Sequence, residues 1–114
     1  MNTLTITLES GQEIGYICWY IVDSCVTLNV LHVHDVFQRR GYGTLLIQSM
    51  LNTLDVPLYI TVDDCSDLSG TSESIYYKFG FRLIDDKMTV HTDFINHIDL
   101  KNITSKSVYI NHES

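Results

Sequence analysis

Basic residues are scarce in this chain. Seven lysines and arginines stand against fourteen aspartates and glutamates, a formal net charge of −7 over 114 residues. That balance argues against a general nucleic-acid-binding role, because neutralising a phosphate backbone takes a basic face. Long apolar runs are also missing. No stretch approaches the ~18 residues that a membrane span requires, and the N-terminus shows no charged-then-apolar leader. Cysteine is sparse and odd in number. Cys18, Cys25 and Cys65 share no metal-ligand spacing, which favours free thiols in a reducing compartment. The expectation is an intracellular, cytoplasmic protein with neither a membrane nor a nucleic-acid partner, and in that setting the glycosylation pattern Asn102-Ile103-Thr104 is idle. No repeat or low-complexity tract divides the sequence, so one domain over residues 1–114 is expected.

What is present is periodic. Residues 3–8 alternate threonine with aliphatics, the pattern of a half-buried strand at a sheet edge. Residues 13–22 are apolar on both faces and predict a central strand covered on both sides. Asp23-Ser24 is a tight turn that makes residues 25–33 an antiparallel partner. From Gly43 to Leu54 the period changes to that of a helix, with Leu46, Ile47, Met50, Leu51 and Leu54 on one stripe. Pro57 marks the exit. Residues 58–62 read as a short buried strand, parallel to the one before the helix. A second short helix, 71–79, ends at Gly80. Residues 81–84, 87–91 and 107–111 read as weaker strands. The fold class is α/β of the α+β kind. Its mixed sheet has antiparallel N-terminal strands, one strand–helix–strand parallel crossover and a second short helix.

The most informative segment joins the third strand to the first helix: Val33-His34-Asp35-Val36-Phe37-Gln38-Arg39-Arg40-Gly41-Tyr42-Gly43-Thr44. A strand stops, a basic turn with two glycines follows, and an apolar helix begins. Glycine tolerates positive φ and lets a ligand approach the main chain closely. The helix presents unpaired N–H groups and a partial positive charge at its first turn. Arg39 and Arg40 add full charge and forked donors. Two of the seven basic residues thus sit together, which favours a local anion site in an acidic body. The spacing is not that of the Walker loop, which ends in Gly-Lys-Ser/Thr, nor that of the dinucleotide fingerprint, which needs a third glycine.

The segment resembles the Gln/Arg-x-x-Gly-x-Gly signature of the GNAT superfamily of N-acetyltransferases. Ser72-Glu73-Ser74-Ile75-Tyr76-Tyr77-Lys78-Phe79-Gly80-Phe81 is similar to the family's second cofactor-side helix, Ala-x-x-x-Tyr-x-x-x-Gly-Phe, with Ser72 in place of alanine. The two segments occur in the family's order, and the resemblance covers roughly residues 4–84. It implies acetyl-CoA as acyl donor, its pyrophosphate gripped by Gln38, Arg39, Arg40, Gly41, Tyr42, Gly43 and Thr44. It implies that pantetheine pairs with the backbone of Leu31, His32 and Val33. It implies direct transfer of the acetyl group to an amine, with Tyr76 as the acid that protonates the departing thiolate and Tyr77 as the fallback. The family's usual chain carries one more strand and two helices ahead of Leu4, which wall the acceptor site. This sequence lacks a match to them.

Other residues leave alternatives open. His32 and His34 lie in phase with Leu28 and Val30 on a strand, either as a base for the amine or as packed histidines. Asp23, Asp63, Asp64 and Glu73 are alternative bases or solvated acids. Ser69 either touches the cofactor or caps the second helix. Asp35, His91, His97 and His112 add no metal-ligand spacing, so no metal is expected. An acidic surface attracts a cationic acceptor, such as a small amine, polyamine or lysine side chain, although negative charge also serves solubility alone. A bare edge strand leaves room for a homodimer. Two rivals stand beside the enzyme. One is an inactive CoA-binding module working through protein contacts. The other is a nucleotide-binding α/β domain, which would alternate strand and helix from its start.

Overall fold

The computed structural model describes residues 1–55, 57–62, 71–100 and 108–113, with backbone only for 71–74. Its elements are β1 (Asn2–Leu8), β2 (Glu13–Val22), β3 (Cys25–Val33), α1 (Tyr42–Leu51), β4 (Tyr59–Val62), α2 (Thr71–Lys78), β5 (Arg82–Ile84), β6 (Lys87–His91) and β7 (Val108–Glu113). They build one seven-stranded sheet in the order β5-β6-β4-β3-β2-β1-β7. The β3–β4 pair is parallel and the other pairs are antiparallel. The mixed sheet, its single parallel crossover and its second short helix follow the sequence pattern.

Turn chemistry sets the hairpins. Asp23, at φ 55°, takes the left-handed position between β2 and β3. Asp85 and Asp86, at φ 50° and 66°, both do so between β5 and β6, as a type I′ turn requires. Aspartate tolerates this conformation better than most residues do.

One face of the sheet carries the core. Ile6, Ile17, Trp19, Val26, Leu28, Ile60 and Val62 are buried against Leu46, Ile47 and Met50 of α1 and Tyr76 of α2. Each such side chain contributes roughly 1.5–3 kcal/mol on burial. Gln48 is a buried polar residue of α1. Its amide donates to Asn52 Oδ1 and contacts His97 Nδ1, and its carbonyl accepts from Ile98 N–H, so it staples the segment after β6 onto the helix.

Three expectations are corrected. Residues 3–8 are not an edge strand, since β7 pairs with β1 from Thr3↔Glu113 to Leu8↔Val108. His112 stacks on the buried Trp19 from there, ring centroids 5.5 Å apart. β2 is central but, among the described residues, covered on one side only. Ile17 and Trp19 are buried, while Tyr16, Cys18 and Tyr20 are half-exposed on the other face beside Thr3, Thr5 and Thr27. The phase of β3 also changes midway. Trp19 pairs with Leu28 but Cys18 pairs with Val30, so Asn29 is an extra residue in the strand. Such a bulge bends the strand and moves later side chains to the other face. Leu31 and Val33 therefore pack on the core after Leu28, and His32 lies opposite them with Tyr16 and Thr5.

Candidate functional site

The β3–β4 register runs only from Cys25↔Tyr59 to Leu28↔Val62 among the described residues. Beyond Leu28, past the Asn29 bulge, Leu31, His32 and Val33 keep their antiparallel bonds to β2. Among the described residues, none pairs with the β4-facing side of β3 there, where another extended chain could pair.

The loop that follows is braced at both ends. His34 N–H donates to Ile14 O at 2.9 Å. A single 3-10 turn, Asp35–Phe37, leads to Gln38. Phe37 stands edge-on to Tyr42, the first residue of α1, with ring centroids 6.2 Å apart. Tyr42 and Thr44 are buried, so their contribution toward a ligand is through the main chain. The Gln38 side chain turns back, donating to Val33 O at 3.0 Å and to Asp35 Oδ1 at 3.3 Å. It ties the loop to the strand end rather than reaching outward.

Arg39 and Gly41 both have positive φ, 64° and 88°. A left-handed residue beside a right-handed one turns successive N–H groups to the same side and makes an anion-binding concavity. Gly41 is also the N-cap of α1 and supplies no side-chain bond to the helix amides. The N–H groups of Tyr42, Gly43 and Thr44 belong to the first turn, which has no carbonyl one turn back. Arg39 and Arg40 are exposed, and no described carboxylate pairs with either. The amides of Tyr42, Gly43 and Thr44 and the positive end of the helix dipole thus lie at the loop that carries Arg39 and Arg40.

Gly43 differs from Gly41 in conformation. It lies inside α1 and not in the left-handed region. A Cβ built on it would stand 3.4 Å from Ile75 Cδ1 of α2. A side chain there would come into contact with α2.

Tyr76 is 3% exposed and belongs to the core. Its carbonyl accepts from Phe81 N–H at 3.2 Å, and Tyr77 O accepts from Gly80 N–H at 3.1 Å. With Gly80 at φ 100°, these are the two bonds of a Schellman helix end. Tyr77 is exposed, with the Arg82 guanidinium 5.7 Å from its ring centre.

His32 and His34 come together with a residue that the spacing did not single out. His34 Nε2 lies 2.8 Å from Glu13 Oε2, and His32 Nε2 lies 3.3 Å from His34 Nδ1. Counting outward from the Asp23-Ser24 turn brings residue 13 opposite 34–35, so hairpin register was the available signal. The other histidines are scattered. His91 pairs with Asp93, His97 with Gln48, and His112 with Trp19. Among the described residues no group of three or more His, Cys, Asp or Glu is placed to hold a metal ion. Asp63, Asp64, Cys65, Ser69 and residues 102–104 lie outside the described residues, as do the side chains of Ser72 and Glu73. A shallow cleft lined by Leu51, Leu54, Pro57, Thr92 and Ile95 sits at the far end of α1, away from the loop. No helix among the described residues is long and apolar enough to cross a membrane.

A mixed sheet with one parallel crossover, whose helix α1 starts in a loop with two left-handed residues, defines an α/β domain. Residues 2–83 match the acetyltransferase (GNAT) domain family, and the chain belongs to that family. None of the curated proteins matches it. Solved structures share its fold. Ard1 from Thermoplasma volcanium is 17% identical with a TM-score of 0.61, covering 72% of this chain and 65% of its own. GCN5 from Tetrahymena is 18% identical with a TM-score of 0.60, covering 79% and 67%. PaiA N-acetyltransferase from Thermoplasma acidophilum, in complex with coenzyme A, is 18% identical with a TM-score of 0.58, covering 76% and 60%. The chain therefore spans about three-fifths to two-thirds of the length of these proteins.

Proposed function

We propose that the chain is an acetyl-CoA-dependent N-acetyltransferase that acts directly on a primary amine. The observation that carries this reading is the loop from Gln38 to Thr44. Its left-handed Arg39 and Gly41 run into the uncapped N-terminus of α1, beside a strand edge whose pairing to β4 ends at Leu28 among the described residues. The first-turn amides and the two arginines would hold the donor's pyrophosphate. Leu31, His32 and Val33 would pair with the pantetheine arm. The donor supplies an activated thioester. The amine nitrogen forms a bond to the acyl carbon, the C–S bond breaks, and the thiolate takes a proton, for which Tyr76 is the candidate. The domain would do this in an intracellular setting.

The test is acetyl-CoA-dependent thiol release in a panel holding a polyamine, a lysine peptide and neutral acceptors. Release with a primary amine supports the reading. Tight acetyl-CoA binding with no release favours a second reading, a catalytically inactive CoA-binding module. One observation supports that alternative: Tyr76 is buried and its spacing to Gly80 is fully accounted for by the helix end.

A further inference from the structure

Glu13, His34 and His32 form a hydrogen-bonded chain at the end of β3. A carboxylate can only accept, so the proton between Glu13 and His34 sits on His34 Nε2. With both rings neutral, His34 Nδ1 is then a lone-pair acceptor, and His32 donates to it from Nε2. The two bonds set the tautomer of His32 and leave its Nδ1 unprotonated. No described residue hydrogen-bonds that atom. The ring is held by its neighbours, with Tyr16 at 5.5 Å between centroids and His34 edge-on at 4.9 Å. Glu13 and His34 are 43% and 42% exposed at their side chains, so the outer end of the chain opens to water.

Position adds the second argument. The Asn29 bulge sends Leu31 and Val33 to the helix-covered face and His32 to the other. A chain paired along this edge of β3 has His32 beside it, on the face opposite α1. An acceptor approaching from that face meets an imidazole with a free lone pair.

Resting on the acetyltransferase reading above, we propose that His32 is the general base that deprotonates the acceptor amine, with His34 and Glu13 as positioning residues. His32 Nδ1 takes a proton from the ammonium nitrogen, whose electron pair becomes the nucleophile. The Nε2 proton of His32 then passes to His34 Nδ1. The Nε2 proton of His34 leaves through Glu13 to solvent. Each imidazole gains one proton and gives up one, and the amine is the only net donor. Among the described residues, the titratable groups in contact with His32 are Tyr16 from β2 and His34, and Glu13 from β2 reaches it through His34.

The experiment compares wild type with His32→Gln, His34→Gln, Glu13→Gln and Glu13→Asp. The readouts are acetyl-CoA affinity by calorimetry, and kcat and KM for spermidine and a lysine peptide across pH. His32→Gln is expected to lose about 10²–10⁴-fold in kcat, with unchanged acetyl-CoA affinity and no acid-side limb in its pH profile. His34→Gln and Glu13→Gln should lose less, in kcat rather than KM, and Glu13→Asp should recover part of the loss. Nitrogen NMR should find the proton of neutral His32 on Nε2. Wild-type rates in His32→Gln across pH, or a proton on His32 Nδ1, overturn the relay and leave the acetyltransferase reading standing. A wild-type chain that acetylates neither amine overturns both.

Discussion

The ring of Tyr76 stands edge-on to that of Phe81, centroids 5.3 Å apart, across the end of the helix that Gly80 terminates. A Schellman end brings the residue four before its glycine against the residue after it. The Tyr-x-x-x-Gly-Phe spacing is thus a folding device in its own right. Tyr76→Phe should preserve that contact and the fold. If Tyr76 also protonates the leaving thiolate, the variant keeps acetyl-CoA affinity and loses about 10²–10⁴-fold in kcat. Equal turnover of variant and wild type over a pH series would leave Tyr76 with the structural role alone.

Gly80 is the other half of that device. It sits at φ 100°, and a Cβ there would stand 2.8 Å from Phe94 O. Gly80→Ala should cost at least about 1 kcal/mol, from a left-handed backbone and a collision with main chain. Chemical denaturation should show a lower midpoint at unchanged slope. An unchanged midpoint would mean that the Phe94 segment moves aside freely.

Arg39 holds a left-handed backbone without being glycine, at φ 64°. That conformation costs an ordinary residue about 1–2 kcal/mol, and such strain gathers at ligand sites. Arg39→Gly is expected to raise the melting temperature of the free protein while weakening acetyl-CoA binding, because it relieves strain and removes a phosphate donor together. A variant less stable than wild type, with affinity intact, would count against both halves.

The cationic-acceptor reading has a salt signature. With spermidine as acceptor, kcat/KM should fall as ionic strength rises while kcat holds, since screening acts on encounter. Preference for a neutral acceptor in the panel would contradict it.

Much of this site was legible in the sequence, and the reasons are local. Gln38 to Thr44 announces a turn and a helix start through residue types a few positions apart, and Gly80 announces a helix end in the same way. Period-two reading failed where the chain inserts a residue. Asn29 adds one position to β3, so His32 leaves the face of Leu28 despite the even spacing. Gly43 looked like Gly41 in sequence, but it is helical and faces Ile75, a neighbour that only tertiary packing supplies. The pairing of β7 with β1 joins the two ends of the chain, and no short-range pattern encodes it. With β1 covered, the edge argument for a homodimer no longer rests on that strand.

Gly41 and Gly43 separate binding from packing. Gly41→Val should abolish acetyl-CoA binding in a folded protein, because a β-branched side chain is barred from φ 88° and the cap amides would turn away. Gly43→Val should lower stability by pushing Ile75 and α2 off α1. Circular dichroism and calorimetry on both variants distinguish the two effects. A folded Gly41→Val chain with wild-type affinity would remove the loop from the site.

The most direct measurement of the central claim is the melting temperature of the wild-type chain and of Gly41→Val, each with and without acetyl-CoA. A ligand at ~100 times its dissociation constant adds about 2.7 kcal/mol to the folded state. The account predicts a saturable rise in the wild-type melting temperature and none in Gly41→Val. No rise in the wild-type protein at millimolar acetyl-CoA would contradict it.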